Sequence, residues 1–237
     1  MKKTAYITGG SKGIGLGIAE ALLREGVHVA ITARTQRDLD LAEKQLKAIG
    51  KGEVLVIQSD VRNLADEENA VQQVIEKWGQ LDYCIANAGV GRFTAVDEMS
   101  TEDWNAVIDI NLTGVFHTVK ASIPALKKSK GYIITISSLA GTNFFEKGAA
   151  YNASKFGLVG FSQAIMLDLR PYEIKVTTIM PGSVATHFND HSVTEKDAWK
   201  IQPEDIGQMV VDLVRMNPRT LPSKVEVRPS IPPSARR

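Results

Sequence analysis

The chain has 237 residues, 43% apolar and 23% charged, the balance of an ordinary globular protein and enough for one large domain. Lys plus Arg number 28 against 27 Asp plus Glu, so neither nucleic acid nor an anionic membrane is expected as the main partner. The single cysteine, Cys84, excludes an internal disulfide and a cysteine-based zinc site, and no run approaches the roughly 18 apolar residues of a membrane span.

The leading "MKKTAYITGG" starts basic, but its apolar run is shorter than the roughly 7–15 residues of a signal peptide, so a cytoplasmic protein is expected. Short β-branched runs at 4–8, 27–32, 53–58, 81–86, 131–137 and 174–180 read as buried strands, and 224–229 as a late edge strand. Between them, apolar periodicity predicts helices near 14–25, 36–49, 65–78, 101–128, 150–170 and 203–216. Such alternation builds right-handed βαβ crossovers. The expected fold is therefore α/β: one doubly wound domain over 1–237, with a mainly parallel seven-stranded sheet flanked by helices. The "SIPPSARR" tail is expected to be loose. Cys84, within "LDYCIANAG", reads as a buried inert thiol.

The first predicted strand runs into "TGGSKGIGLGIAEALL". Gly9, Gly13 and Gly15 stand at the strand-to-helix turn, where backbone can approach a pyrophosphate whose charge the helix N-terminus favours. The spacing is T-G-x-x-x-G-x-G, since Ile18 replaces the last glycine of G-x-G-x-x-G. Residues 9–13 also satisfy G-x-S-x-G, the nucleophile elbow of α/β-hydrolases. Only one strand precedes it, no HGGG-type segment appears, and His28, His117, His187 and His191 offer no acid-then-His arrangement near a strand end, so this rival is set aside.

Further on, "FGLVGFSQAIML" (156–167) carries no charge on any face, and a helix apolar all round is buried all round. The sheet covers one side. Another helix or subunit must cover the rest, and the similar "WNAVIDINLTGVFHTV" strengthens the expectation of a homodimer or homotetramer. At the head of this helix Tyr151 and Lys155, four positions apart, share a face. An ammonium about 4.5 Å away at an effective dielectric near 20 favours phenolate by roughly 3.5 kcal/mol, or about 2.5 pKa units. Burial pushes the other way, so the expectation is that the lysine wins. Taken alone, Asn111 reads as a satisfied buried amide and Ser138 as a strand-end serine.

Taken together, "TGGSKGIG" (8–15), "DV" (60–61), "NAG" (87–89), Asn111 in "DINLTG", "SS" (137–138), "YNASK" (151–155) and "PG" (181–182) resemble the short-chain dehydrogenase/reductase family. The pieces follow the family's order across almost the whole chain, with 13 positions between Ser138 and Tyr151; Ala86 departs from the Asn that many members carry. The resemblance implies a Rossmann-type fold and a nicotinamide cofactor. It implies that Tyr151 protonates a carbonyl oxygen as hydride arrives, that Ser138 hydrogen-bonds the same oxygen, and that Lys155 holds the nicotinamide ribose. Asn111 would join a water-linked proton relay through Lys155. For the cofactor it implies Gly9, Ser11, Lys12, Gly13, Ile14 and Gly15 at the phosphates. Asp60 and Val61 would hold the adenine, and Asn87, Ala88 and Gly89 the ribose side. Pro181, Gly182, Val184 and Thr186 would complete the site with Tyr151 and Lys155.

The acid that normally reads the adenine ribose is missing: Ala33 and Arg34 stand there, with no acid until Asp38. Arg34, with Lys12, suits a 2′-phosphate and predicts NADP(H). The expected activity is an NADP(H)-dependent interconversion of a small-molecule carbonyl and a secondary alcohol, mainly as a reductase. A 3-oxoacyl-carrier-protein reductase is the alternative. A non-catalytic nucleotide-binding protein is a remote one, disfavoured because Ser138, Tyr151 and Lys155 are all present. Segments 90–99, 139–148 and 183–199, with Phe93, Phe144, Phe145 and Phe188, are the expected walls of an apolar pocket, and 183–200 an expected substrate lid. His187 and His191 lack the glutamate of a zinc protease motif, so no metal is expected.

Overall fold

The computed structural model describes residues 2–232; the rest of the "SIPPSARR" tail, from 233, lies outside the described residues. Seven strands, β1 (Thr4–Thr8), β2 (His28–Ala33), β3 (Val54–Gln58), β4 (Tyr83–Ala86), β5 (Tyr132–Ile136), β6 (Lys175–Pro181) and β7 (Lys224–Val227), form one sheet. Its order is β3-β2-β1-β4-β5-β6-β7 and every pairing is parallel, which makes the fold a doubly wound Rossmann type. The inner strands are apolar almost throughout because both faces are covered. On one face Ile7, Ile31 and Ile134 pack with Ile18, Leu22 and Val210; on the other Tyr6, Ala30 and Ile133 pack with Val71, Val115 and Leu158.

The helices are α1 (Gly13–Arg24), α2 (Gln36–Lys47), α3 (Leu64–Trp78), α4 (Thr101–Ile108), α5 (Gly114–Ser129), α6 (Ala149–Leu169) and α7 (Pro203–Arg215). The strand order reverses between β1 and β4, which opens a crevice beyond their carboxyl ends, where such sheets take their ligands. None of the described helices is long and apolar enough to cross a membrane.

Two expectations need correction. The helix predicted over 101–128 is broken by a π turn at Asp109–Thr113, closed by the Gly114 N–H donating to the Asp109 carbonyl. The wider turn lets Asn111 reach the loop after β4. Helix α6 is also not buried all round. Phe156 is 43% exposed and Leu167 58%, and Phe116 of α5, edge-on to Phe161 at 6.3 Å, is 42% exposed. The side of α6 facing away from the sheet is left uncovered by this chain.

Helices α1 and α7 meet through a glycine: a Cβ on Gly17 would lie 2.6 Å from the Pro203 backbone. Gly17→Ala is therefore expected to cost about 1–3 kcal/mol by overpacking. Gly160→Ala, on a face of α6 that is open within this chain, is expected to gain about 0.5–1 kcal/mol from backbone entropy in the dissociated chain. Chemical denaturation of the two variants checks this; equal effects would mean that α1 and α7 are not in close contact.

Candidate active site

The turn between β1 and α1 is built for close backbone approach. Gly9 and Gly13 have φ of 64° and 57°, the left-handed region. A Cβ on Gly15 would fall 2.4 Å from the Gly9 carbonyl oxygen. The loop after β4 is stitched to this turn: Asn87 Nδ2 donates to the carbonyls of Thr8 (2.9 Å) and Gly9 (3.1 Å). Thr8 Oγ1 in turn accepts the N–H groups of Asn87 (3.1 Å) and Ala88 (3.2 Å).

Beside this turn runs a cleft of about 400 Å³ lined by Gly9, Ser11, Lys12, Gly13, Ile14, Arg34, Asp60, Val61, Asn87, Ala88, Gly89, Lys155 and Thr186. Gly15 stands behind the turn, against Gly9 and Asn87, and does not line it. A second, adjoining pocket of about 1030 Å³ takes Tyr151, Ser138, Pro181, Gly182 and Val184 instead; Thr186 and Phe188 line both. Of the residues expected to hold the cofactor, Tyr151, Pro181, Gly182 and Val184 thus face the second pocket.

At the far end of the cleft, Arg62 grips the Asp60 carboxylate through Nε (3.0 Å to each oxygen) and Nη2. That hydrogen bonding holds Asp60 below the usual carboxylate range, with Arg34 adding a weaker pull. Lys12 Nζ lies 3.4 Å from Asp38, so the first acid beyond Arg34 also borders the cleft and is engaged there. Among the described residues the Arg34 guanidinium has no hydrogen-bond partner.

Lys155 is 4% exposed, and its Nζ donates to the Ile136 carbonyl at 3.0 Å, at the end of β5. Burial alone pulls its pKa down to about 8. The ammonium stands 5.7 Å from the centre of the Tyr151 ring. Burial raises the Tyr151 pKa, and the Ser138 hydroxyl opposes that shift in part. The expectation that the lysine outweighs burial is thus overturned: its charge lies over the ring and is itself weakened by desolvation.

Ser138 caps a short 3₁₀ turn, Leu139–Gly141, accepting the Ala140 N–H at 3.1 Å, which fixes its hydroxyl at the mouth of β5. Asn111 is fully buried; its Oδ1 accepts the Val90 N–H (2.8 Å), and its Nδ2 donates to the Val90 carbonyl (2.9 Å) and Ser154 Oγ (3.1 Å). Its side chain clamps the 87–90 loop to the π turn, with both amide hydrogens and its oxygen engaged.

Phe93, Phe145 and Phe188 surround the phenol ring at centroid distances of 5.4, 6.5 and 5.7 Å; Phe144, 86% exposed, sits at the rim. The histidines are engaged elsewhere: His28 with the Glu53 N–H, His117 with the Val61 carbonyl, His187 with the His191 carbonyl, and His191 with Asp197. None contacts Ser11, which removes the hydrolase elbow. Cys84 is buried, and burial pushes its thiol up to about 12.

Sequence reasoning missed Glu67. This fully buried carboxylate on α3 accepts hydroxyls from Ser59 (2.7 Å), Thr118 (2.7 Å) and Tyr6 (3.0 Å). Ser59 lines the cleft beside Asp60, so the network supports the loop after β3. A signal was available: Glu67, Ala70, Val71 and Val74 follow helical spacing, which puts the acid on the buried face.

Burying Lys155 costs stability. Lys155→Met is expected to stabilise the cofactor-free protein at pH 7, by up to about 3 kcal/mol before the lost bond to Ile136 is subtracted. Because burial lowers the folded-state pKa, wild-type stability rises with pH from about 8 toward 10.5 and the gap narrows there. Melting curves at pH 7 and pH 10 read both effects; a variant less stable at both would show that the ammonium is not desolvated.

The family profile for short chain dehydrogenase matches residues 3–197. The chain is 35% identical over 213 residues to a 3-oxoacyl-[acyl-carrier-protein] reductase of Synechocystis, covering 86% of each. It is 31% identical to a sepiapterin reductase of Chlorobaculum tepidum, covering 97% of both. With the longer glycine betaine reductase ATRR of Emericella nidulans it shares 31% identity across 96% of this chain and 19% of that protein. The crystal structure of a metagenomic short-chain oxidoreductase in complex with NADP superposes with a TM-score of 0.85 at 34% identity, covering 97% of this chain and 98% of that one. The chain belongs to the short-chain dehydrogenase/reductase family, oxidoreductases that use a nicotinamide cofactor on carbonyl and alcohol groups.

Proposed function

We propose that this protein is an NADP(H)-dependent reductase that converts the carbonyl of a small molecule to a secondary alcohol, and that runs in reverse when the alcohol is supplied. The observation that carries the reading is the meeting of Lys155, Tyr151 and Ser138 where two cavities adjoin. The cleft fits a dinucleotide: Gly9 and Gly13, both in the left-handed region, line it where β1 turns into the N-terminus of α1. When bound, the cofactor supplies the hydride. Tyr151, kept neutral by burial, gives its hydroxyl proton to the carbonyl oxygen. Ser138 donates a second hydrogen bond to that oxygen, and Lys155 holds the ribose from the cleft side. Phe93, Phe145 and Phe188 keep water from the phenol.

Arg34 supports a 2′-phosphate over a free ribose hydroxyl, and the NADP complex of the metagenomic relative agrees. The Synechocystis relative supports a 3-oxoacyl carrier substrate as a second reading. The uncovered strip of Phe116, Phe156 and Leu167 supports a homodimer across α5 and α6.

Tyr151→Phe is expected to lower kcat for NADPH oxidation by about 10²-fold or more with the fold intact by circular dichroism; surviving turnover removes Tyr151 as the acid. Arg34→Asp is expected to raise KM for NADPH about 10-fold or more while leaving NADH less affected. An unchanged NADPH KM removes the 2′-phosphate contact. For assembly, Phe116→Asp is expected to halve the mass seen by light scattering; a wild-type chain that is already monomeric removes the dimer.

A further inference from the structure

We infer that the second pocket contains an anion subsite formed by His191, Lys200 and Arg228, and that the carbonyl substrate carries a carboxylate. The inference rests on the reductase reading, since it names the substrate class for the same pocket.

These three basic side chains come from separate parts of the chain: the loop after a 3₁₀ turn, the segment before α7, and the residue after β7. They line one pocket with Tyr151 and Ser138. Among the described residues, neither an aspartate nor a glutamate lines it. Lys200 is not a freely solvated surface lysine, its side chain being 18% exposed. Asp197, 5% exposed, accepts from Lys200 Nζ (2.6 Å), His191 Nε2 (2.9 Å) and the Thr194 N–H (2.9 Å). One buried carboxylate thus fixes an ammonium and an imidazole side by side at the pocket wall, with Lys200 Nζ 3.4 Å from His191 Nε2. Arg228 spends a single N–H on Glu226 at 3.0 Å, which leaves most of its donor fork available for a carboxylate. Trp199 and Pro229 add apolar wall beside the basic side chains. A neutral ketone would use none of this.

The same cations could take a phosphate, as on a phosphopantetheine thioester, so the test separates the two sources. NADPH oxidation is followed with 4-oxopentanoate against its methyl ester. In parallel, the 3-oxobutanoyl thioester of phosphopantetheine is compared with that of uncharged N-acetylcysteamine. The expected result is a kcat/KM at least about 10-fold higher for the free acid than for its ester, with that ratio falling about 10-fold in Arg228→Gln. Lys200→Gln is expected to act likewise; because it also disturbs Asp197, the exposed Arg228 variant is the decisive one. Equal use of acid and ester, or a ratio unmoved by Arg228→Gln, overturns the inference. A charge preference confined to the phosphopantetheine thioester overturns the carboxylate and gives the subsite to a phosphate.

Should no compound turn over, the reductase reading is what has failed. The subsite is then read by calorimetry, as pentanoate binding to Tyr151→Phe protein loaded with NADP. Affinity about 10-fold weaker once Arg228→Gln is added supports it, and equal or undetectable binding in both overturns it.

Discussion

The site depends on an ammonium group taken out of water. Lys155 has one carbonyl partner and almost no solvent, and burial without a counter-charge is costly for any lysine. Among the described residues no carboxylate pairs with it, so the charge is held by the geometry of β5 and α6. Burial likewise raises the pKa of the neighbouring Tyr151 phenol, with the Ser138 hydroxyl opposing it in part.

That arrangement needs a rigid frame, and the parallel sheet supplies it at the point where strand order reverses. Asn87 and Thr8 tie the ends of β1 and β4 together through four hydrogen bonds, and Asn111 ties the next loop residue to the π turn between α4 and α5. At the other end Glu67 performs a similar function from below. Its carboxyl is raised by burial yet steadied by three hydroxyls, one of them on the strand end that borders the cleft. Two buried ionisable groups, Lys155 and Glu67, thus sit under opposite ends of one cleft.

Most of the sheet was legible in the sequence because a strand covered on both faces is written as a continuous β-branched run, and all seven segments contain such runs or a short edge version. The glycine turn and the Tyr151–Lys155 pair were legible for a similar reason: each depends on spacing within one element. What could not be read depends on contacts between elements. The π turn exists because Asn111 bonds to Val90, 21 positions away in sequence. The spacing of Tyr151 and Lys155 places two residues on one face and is silent on where the long lysine chain points. It reached instead for Ile136, a residue on another element.

The convergence of His191, Lys200 and Arg228 is of the same kind and has a structural consequence. The segment that carries His191 also carries Thr186 and Phe188, which line both cavities. Gly91 admits the Phe188 ring, since a Cβ there would lie 2.7 Å from it. One short stretch therefore borders the cofactor cleft, shields the phenol and presents a cation to the second pocket. An anion drawn to His191 and Lys200 would be held by the same segment that packs Phe188 against Tyr151, so substrate charge and water exclusion act on one piece of chain. With such a subsite, specificity would rest on 186–200 and chemistry on β5 and α6, so that the pocket could change its substrate without disturbing the buried lysine.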